Sequence, residues 1–231
     1  MVDTDEAVEP VRARYGELPV ELQEPLLARA HMIHAKPGQM VIGEGTQSTD
    51  VYFIVSGRVQ ISLFSAEGRE TILRDMSAGQ LLGELSAIDD RPRSANVTAV
   101  EETVLAHVTG AGFRDFLLEV PAAALWLARQ LSALVRDLTD KTFELATMPV
   151  QVRLQSLLLR LASEAGISND RGEISNLPTH ADIAARIGSN REAVTRGLGQ
   201  LARHGLISQS GRKLTITSVS RLRAAMAAAE R

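Results

Sequence analysis

The feature that most constrains this chain is the punctuation of residues 177–216, "LPTHADIAARIGSNREAVTRGLGQLARHGLISQSGRKLTI". Thr179 and Asp182 have the spacing of a capping pair, which satisfies the free amides at a helix start. Ile183, Ala184 and Ile187 then recur on one helical face. Gly188 supplies a tight turn. Ser189 with Glu192 is a second capping pair and opens a second helix, whose Val194, Leu198 and Leu201 face inward. Gly205 closes that helix. Leu206-Ile207 and Leu214-Thr215-Ile216 flank a turn at Ser210-Gly211 and read as a hairpin. Helix, turn, helix and hairpin make a winged helix-turn-helix, which we place within residues 148–231.

Such a motif lays its second helix in the major groove of double-stranded DNA, with the N-terminal residues at the base edges. The residues in position to do so are Asn190, Arg191, Glu192, Thr195 and Arg196, with Thr179 and Ser189 at the two helix starts. Arginine is the usual bidentate reader of guanine, and a glutamate can accept from cytosine N4. Glu192 can equally act as a capping residue. The charge distribution points the same way. From Thr147 onward there are 12 basic and 6 acidic side chains, a net of +6, while residues 1–146 carry 13 basic and 22 acidic, a net of −9. An acidic front and a basic back suit a nucleic-acid partner for the back.

The front half has a different rhythm. Glycines recur at Gly38, Gly43, Gly45, Gly57, Gly68, Gly79 and Gly83. Between and after them lie short β-prone runs: Val51 to Val55, Val59 to Leu63, Thr71 to Leu73, Ala95 to Val100 and Thr103 to Ala106. This predicts a small β-sandwich or barrel over residues 18–120, preceded by an acidic tail (residues 1–17) and a weakly helical stretch, Val20 to Ala30. Residues 121–147 read as one long helix in which Leu127, Leu131, Leu134, Leu138 and Leu145 form a narrow heptad seam. A seam of this kind predicts a homodimer; a helix packed on its own β-domain gives a similar stripe. Thr147-Met148-Pro149 is the expected hinge, followed by a Leu-rich helix from Val150 to Ala165 and a polar loop from Ser168 to Asn176.

Several classes are excluded at this level. The chain has no cysteine, so a disulfide framework, thiolate zinc sites and cysteine-ligated iron–sulfur clusters are out. His31, His34, His107, His180 and His204 show no metal-ligand spacing, and no metal is expected. The acidic N-terminus has no apolar signal-peptide core, and no run approaches the ~18 apolar residues of a membrane span, so a cytoplasmic protein with no membrane partner is expected. There is no phosphate-binding Walker motif, kinase set, HExxH or G-x-S-x-G, and an enzyme is not expected.

The second informative segment is "LLGELSAIDDRPRSANVTA". Glu84 and Arg93 lie nine residues apart across a short turn. The arginine fork suits a phosphate, and a carboxylate accepts from a sugar hydroxyl. Together they fit a cyclic nucleotide, which carries one phosphate and one free ribose hydroxyl.

Taken together, "VYFIVSGRVQISL", "GELSAIDDRPRSA", the long helix from Phe113 and "GSNREAVTRGLGQL" occur in an order that resembles the Crp/Fnr family of bacterial transcription regulators, over about Gly38 to Ile216. The resemblance implies an α+β architecture: an N-terminal, jelly-roll-like β-roll that binds a cyclic nucleotide, a long dimerisation helix and a C-terminal winged helix-turn-helix. It implies that Glu84 holds the ribose 2′-hydroxyl, that Arg93 and Ser94 hold the cyclic phosphate, and that amides near Gly83, Leu85 and Ala95 assist. It places Leu138 and Thr139 where cyclic-AMP regulators carry a Thr-Ser pair against adenine. Leucine cannot satisfy the adenine amine, so both cyclic AMP and cyclic GMP stand as the allosteric effector. It further implies that Arg191, Glu192 and Arg196 read a TGTGA-like half-site of a palindromic operator, and that RNA polymerase is a partner.

Overall fold

The computed structural model describes residues 17–229. They fall into two compact units, one running through Val135 and the other beginning at Arg136. Apart from Glu17, the expected acidic tail lies outside the described residues.

The first unit contains α1 (Val20–Leu27), β1 (His31–Ala35), β2 (Met40–Ile42), β3 (Val51–Ser56), β4 (Arg58–Phe64), β5 (Glu70–Ser77), β6 (Leu81–Leu82), α2 (Glu84–Asp89), β7 (Asn96–Ala99), β8 (Thr103–Val108) and α3 (Gly110–Glu119). It also holds the first part of α4 (Pro121–Thr147). The strands form two antiparallel four-stranded sheets, ordered β1-β8-β3-β6 and β2-β7-β4-β5. The five strands expected from the sequence are present. β1, β2 and β6 are additional; two of them are only two or three residues long, too short for alternation to register.

The apolar runs of β3 and β8 have a physical reason. Tyr52, Ile54 and Leu105 pack into a core that also holds Val59, Met76 and Val97 of the other sheet. Val51, Phe53, Ala106 and Val108 point the opposite way, onto Leu22 and Leu26 of α1, Phe113 and Phe116 of α3, and Trp126 and Leu127 of α4. A sheet covered on both faces needs apolar side chains at successive positions. Phe113 and Phe116 are fully buried, each worth roughly 1.5–3 kcal/mol.

The long helix keeps its expected bounds, but its seam is divided. Leu127 is buried in its own unit and Leu131 packs against the same core, while Leu138 and Leu145 are exposed. Leu125 and Val135 are exposed as well. The front of the predicted seam is therefore intrachain packing, the alternative the leucine spacing left open.

The second unit holds the rest of α4, then α5 (Val150–Glu164), β9 (Gly172–Ile174), α6 (His180–Ile187), α7 (Arg191–Arg203), β10 (Ile207–Ser210), β11 (Lys213–Ile216) and α8 (Val219–Ala229). Its core joins Leu154 and Leu158 of α5, Ile183 and Ile187 of α6, Val194, Leu198 and Leu201 of α7, and Leu214 and Ile216 of β11. The Thr179–Asp182 capping box is present in both directions. The second helix starts one residue later than the Ser189–Glu192 pattern predicts: Asn190 is the cap, its Oδ1 accepting from the Ala193 amide at 2.8 Å. Asparagine caps as well as serine does, and the two stand side by side. The expected polar loop contains β9, which pairs Ile174 with Leu214 and widens the wing to the three-stranded sheet β10-β11-β9. Gly197 lets α7 lie against α5; a Cβ there would fall 2.6 Å from Leu154 Cδ2 and 2.7 Å from Gln151 Oε1.

The expected hinge at Thr147-Met148-Pro149 is braced within this unit. Lys141 Nζ donates to the Arg186 carbonyl at the end of α6 (2.9 Å), Arg153 Nη1 to Leu145 O (3.0 Å) and Arg153 Nη2 to Gly188 O (3.4 Å). A cation on the last carbonyls of a helix also opposes its dipole. The division between compact units falls inside α4, after Val135.

Candidate ligand pocket and nucleic-acid face

Gly83 carries the chain from β6 into α2. It sits at φ +87°, and a Cβ there would meet Asp50 O at 2.7 Å and Arg93 Nη1 at 2.8 Å. Only glycine adopts this turn without strain and leaves room for the guanidinium. Arg93 is 4% exposed. Its Nη1 donates to Gly83 O at 2.9 Å; its Nη2 donates to Asp50 O and to Ser48 Oγ, the latter at 3.1 Å. Its Nε is buried and meets no acceptor among the described residues. Burial lowers the Arg93 pKa, while Tyr52, Asp50 and Glu84 push it back up.

Beside this arginine stands a polar brace formed by Ser48 and Asp50 just before β3, His107 of β8 and His31 of β1. Asp50 Oδ2 lies 3.1 Å from His107 Nε2 and accepts from Ser48 Oγ at 3.1 Å. His107 Nδ1 is 3.3 Å from His31 Nδ1. Burial alone would raise the Asp50 pKa; the bonds from His107 and Ser48, with the charges of His107 and Arg93, outweigh it and hold the carboxyl below its usual range.

Glu84 opens α2 and is 9% exposed. Burial raises its pKa, opposed by the charge of Arg74, a backbone hydrogen bond and the charge of Arg93. Leu85 is half-buried, Ser94 is exposed and Ala95 is half-buried, so Arg93 is the buried member of the Arg93-Ser94-Ala95 turn. Glu84 lines a cleft between β5 and α4, with Arg74 and Met76 on one wall and Trp126, Gln130 and Leu134 on the other. Its free volume is about 30 Å³. Leu138 and Thr139 are exposed on α4 in the other compact unit.

The raised Glu84 pKa gives a signed expectation. The folded state favours the protonated carboxyl. Its contribution to stability is therefore full below the unfolded value, near 4.5, and is lost as pH rises through the folded value. Glu84→Gln should raise the melting temperature of the ligand-free protein at pH 7 and flatten its pH dependence above 4.5. A variant less stable than the parent at pH 7 would contradict this.

In the second unit, Arg191, Glu192, Thr195 and Arg196 are exposed on α7, opposite the buried Val194, Leu198 and Leu201. Asn190 is exposed and Ser189 half-buried at its start. Thr195 Oγ1 donates to Arg191 O and lies 2.9 Å from His180 Nδ1. Thr179, His180 and Arg191 share a groove with Gln209 and Arg212 of the wing turn. The sequence reading had passed over these last two and His180. Arg74, Trp126 and Gln130 of the cleft were missed as well. Among the described residues no group of three or more His, Asp or Glu side chains is placed to hold a metal, and no single helix is long and apolar enough to cross a membrane.

A small-ligand β-domain joined to a winged helix-turn-helix defines a class of ligand-responsive DNA-binding regulator, and comparison with known proteins agrees. Residues 32–119 match the cyclic nucleotide-binding domain family and residues 152–225 the Crp-like helix-turn-helix domain family. The chain is 28% identical over 186 residues to the CRP-like cAMP-activated global transcriptional regulator of Mycobacterium tuberculosis, covering 80% of this chain and 83% of that protein. It is 28% identical over 195 residues to the cAMP-activated global transcriptional regulator CRP of Salmonella typhimurium, covering 84% and 92%. The c-di-GMP-responsive global regulator CLP of Xanthomonas campestris shares the fold, with a TM-score of 0.77 at 22% identity over 85% of this chain and 98% of that one. The chain thus joins a cyclic nucleotide-binding domain to a Crp-like helix-turn-helix domain, and the curated relatives it resembles are transcription regulators.

Proposed function

We propose that this protein is a homodimeric transcription regulator whose affinity for a palindromic operator is set by a cyclic nucleotide bound beside Glu84 and Arg93. The observation that carries this reading is Arg93. It is a nearly fully buried cation, held in place by Gly83, Asp50 and Ser48, with one buried donor unsatisfied. Buried polar atoms without partners are rare and call for an explanation, and a phosphate oxygen supplies one. Ser94 adds a hydroxyl, the amides of Gly83, Leu85 and Ala95 add donors, and Glu84 accepts from the ribose 2′-hydroxyl. Relatives named as cAMP-activated regulators support a cyclic nucleotide as the effector.

The far end of α4 is bonded to α6 by Lys141 and to α5 and Gly188 by Arg153, so a nucleotide that acts on α4 acts on a helix continuous with the helix-turn-helix unit. The exposed Leu138 and Leu145 on α4 lie one heptad apart and offer the dimer face. Thr179, Ser189, Asn190, Arg191, Glu192, Thr195 and Arg196 face the DNA, and RNA polymerase reads the bound dimer. Calorimetric titration of the full chain with cyclic AMP and with cyclic GMP tests the effector. Saturable binding of either supports the reading, and binding of neither removes the nucleotide from it.

A further inference from the structure

The cleft wall carries polar groups that phosphate and ribose capture leave unused: Arg74 on β5, and Trp126 and Gln130 on α4. Trp126 is 9% exposed, and its indole N–H is buried with no acceptor among the described residues. Arg74 lines the same cleft as Glu84, the group assigned to the ribose, and its charge opposes the rise that burial gives that carboxyl's pKa. Guanidinium and indole nitrogens donate hydrogen bonds and accept none. A ligand that fills this wall must present acceptors.

We propose that Arg74, with Trp126, reads the base and selects guanine over adenine. This rests on the cyclic nucleotide reading above. Guanine presents O6 and N7, two adjacent acceptors, and the arginine fork is their bidentate partner. Adenine replaces O6 with an amine, which would set N–H against N–H at Arg74. Trp126 supplies a further donor and cannot adapt, because indole has no acceptor lone pair. Gln130 can present either end of its amide and does not discriminate. The preferred effector is a guanine cyclic nucleotide, and the side chains that set the preference lie on β5 and α4.

The test is calorimetry on the full chain with cyclic GMP, cyclic AMP and cyclic inosine monophosphate, which keeps O6 and N7 but lacks the 2-amino group. Cyclic GMP should bind at least about fivefold tighter than cyclic AMP, the low end for one good bidentate contact. The inosine nucleotide should follow cyclic GMP. Arg74→Gln should reverse the order, because glutamine pairs with adenine N6 and N7. Trp126→Phe should weaken cyclic GMP several-fold. Cyclic AMP binding as tightly as cyclic GMP would overturn the proposal. So would an inosine nucleotide that behaves like cyclic AMP, or a normally melting Arg74→Gln protein with an unchanged ratio. The comparison of the three nucleotides on the parent chain stands if the variants fail to fold. Absence of binding by all three would instead overturn the cyclic nucleotide reading itself.

Discussion

Replacing Arg93 with alanine is expected to weaken cyclic nucleotide binding by about 100-fold or more and to abolish nucleotide-stimulated DNA binding. A charge-assisted hydrogen bond is worth roughly 1.5–3 kcal/mol, and the guanidinium offers more than one to a phosphate. Two such bonds exceed about 3 kcal/mol, a factor above 100. The substitution also strips the bonds to Gly83 O, Asp50 O and Ser48 Oγ, so the melting temperature should fall. Arg93→Lys separates the two effects. It keeps the charge and one bond but loses the fork, and should bind nucleotide weakly while melting closer to the parent. A stable alanine variant that still binds nucleotide at the parental affinity would remove Arg93 from the site.

Arg191→Ala is expected to cost about 1–3 kcal/mol of operator affinity and to relax discrimination at one base pair of each half-site. Arg191 is the first residue of α7, exposed, and held at its helix start by the Asn190 cap. The substitution touches no buried group, so stability should hardly move. Competition against a panel of singly substituted duplexes is the measurement. A loss shared evenly by all sequences would make Arg191 a phosphate contact.

How much of this was legible in the sequence depended on how local the cause was. The helix-turn-helix could be read because its signals lie within a few residues of one another: the Thr179–Asp182 capping box, the left-handed Gly188 and the buried Val194, Leu198 and Leu201. Ser189 against Asn190 went wrong by one position because both residues cap well. β9 was hidden in a polar loop because its partner is β11, some 40 residues later. The leucines of α4 gave a true helical stripe but not which neighbour covers it. That depends on α1, α3 and the β-sheet, whose assembly is non-local.

The site shows the same limit. Glu84 and Arg93 stood out because they are close in sequence. The partners of Arg93, Ser48 and Asp50, are more than 40 residues away from it. Arg74 carried a readable signal that went unused. On β5 it pairs with Ile61 and shares the face of the buried Met76, and a cation among inward-facing positions marks a binding wall. Trp126 carried none, because an unpaired indole nitrogen is visible only once its surroundings are placed.

The most direct test of the account is the affinity of the full-length protein for a labelled palindromic duplex with TGTGA-like half-sites, measured by fluorescence anisotropy at fixed salt, with and without saturating cyclic GMP or cyclic AMP. Fixed salt matters because phosphate contacts make the affinity strongly salt-dependent. At least one nucleotide should tighten binding to the palindrome by about fivefold or more and leave a scrambled duplex nearly unchanged. Equal affinity for the palindrome with and without either nucleotide would contradict the claim that this pocket governs the DNA-binding domain.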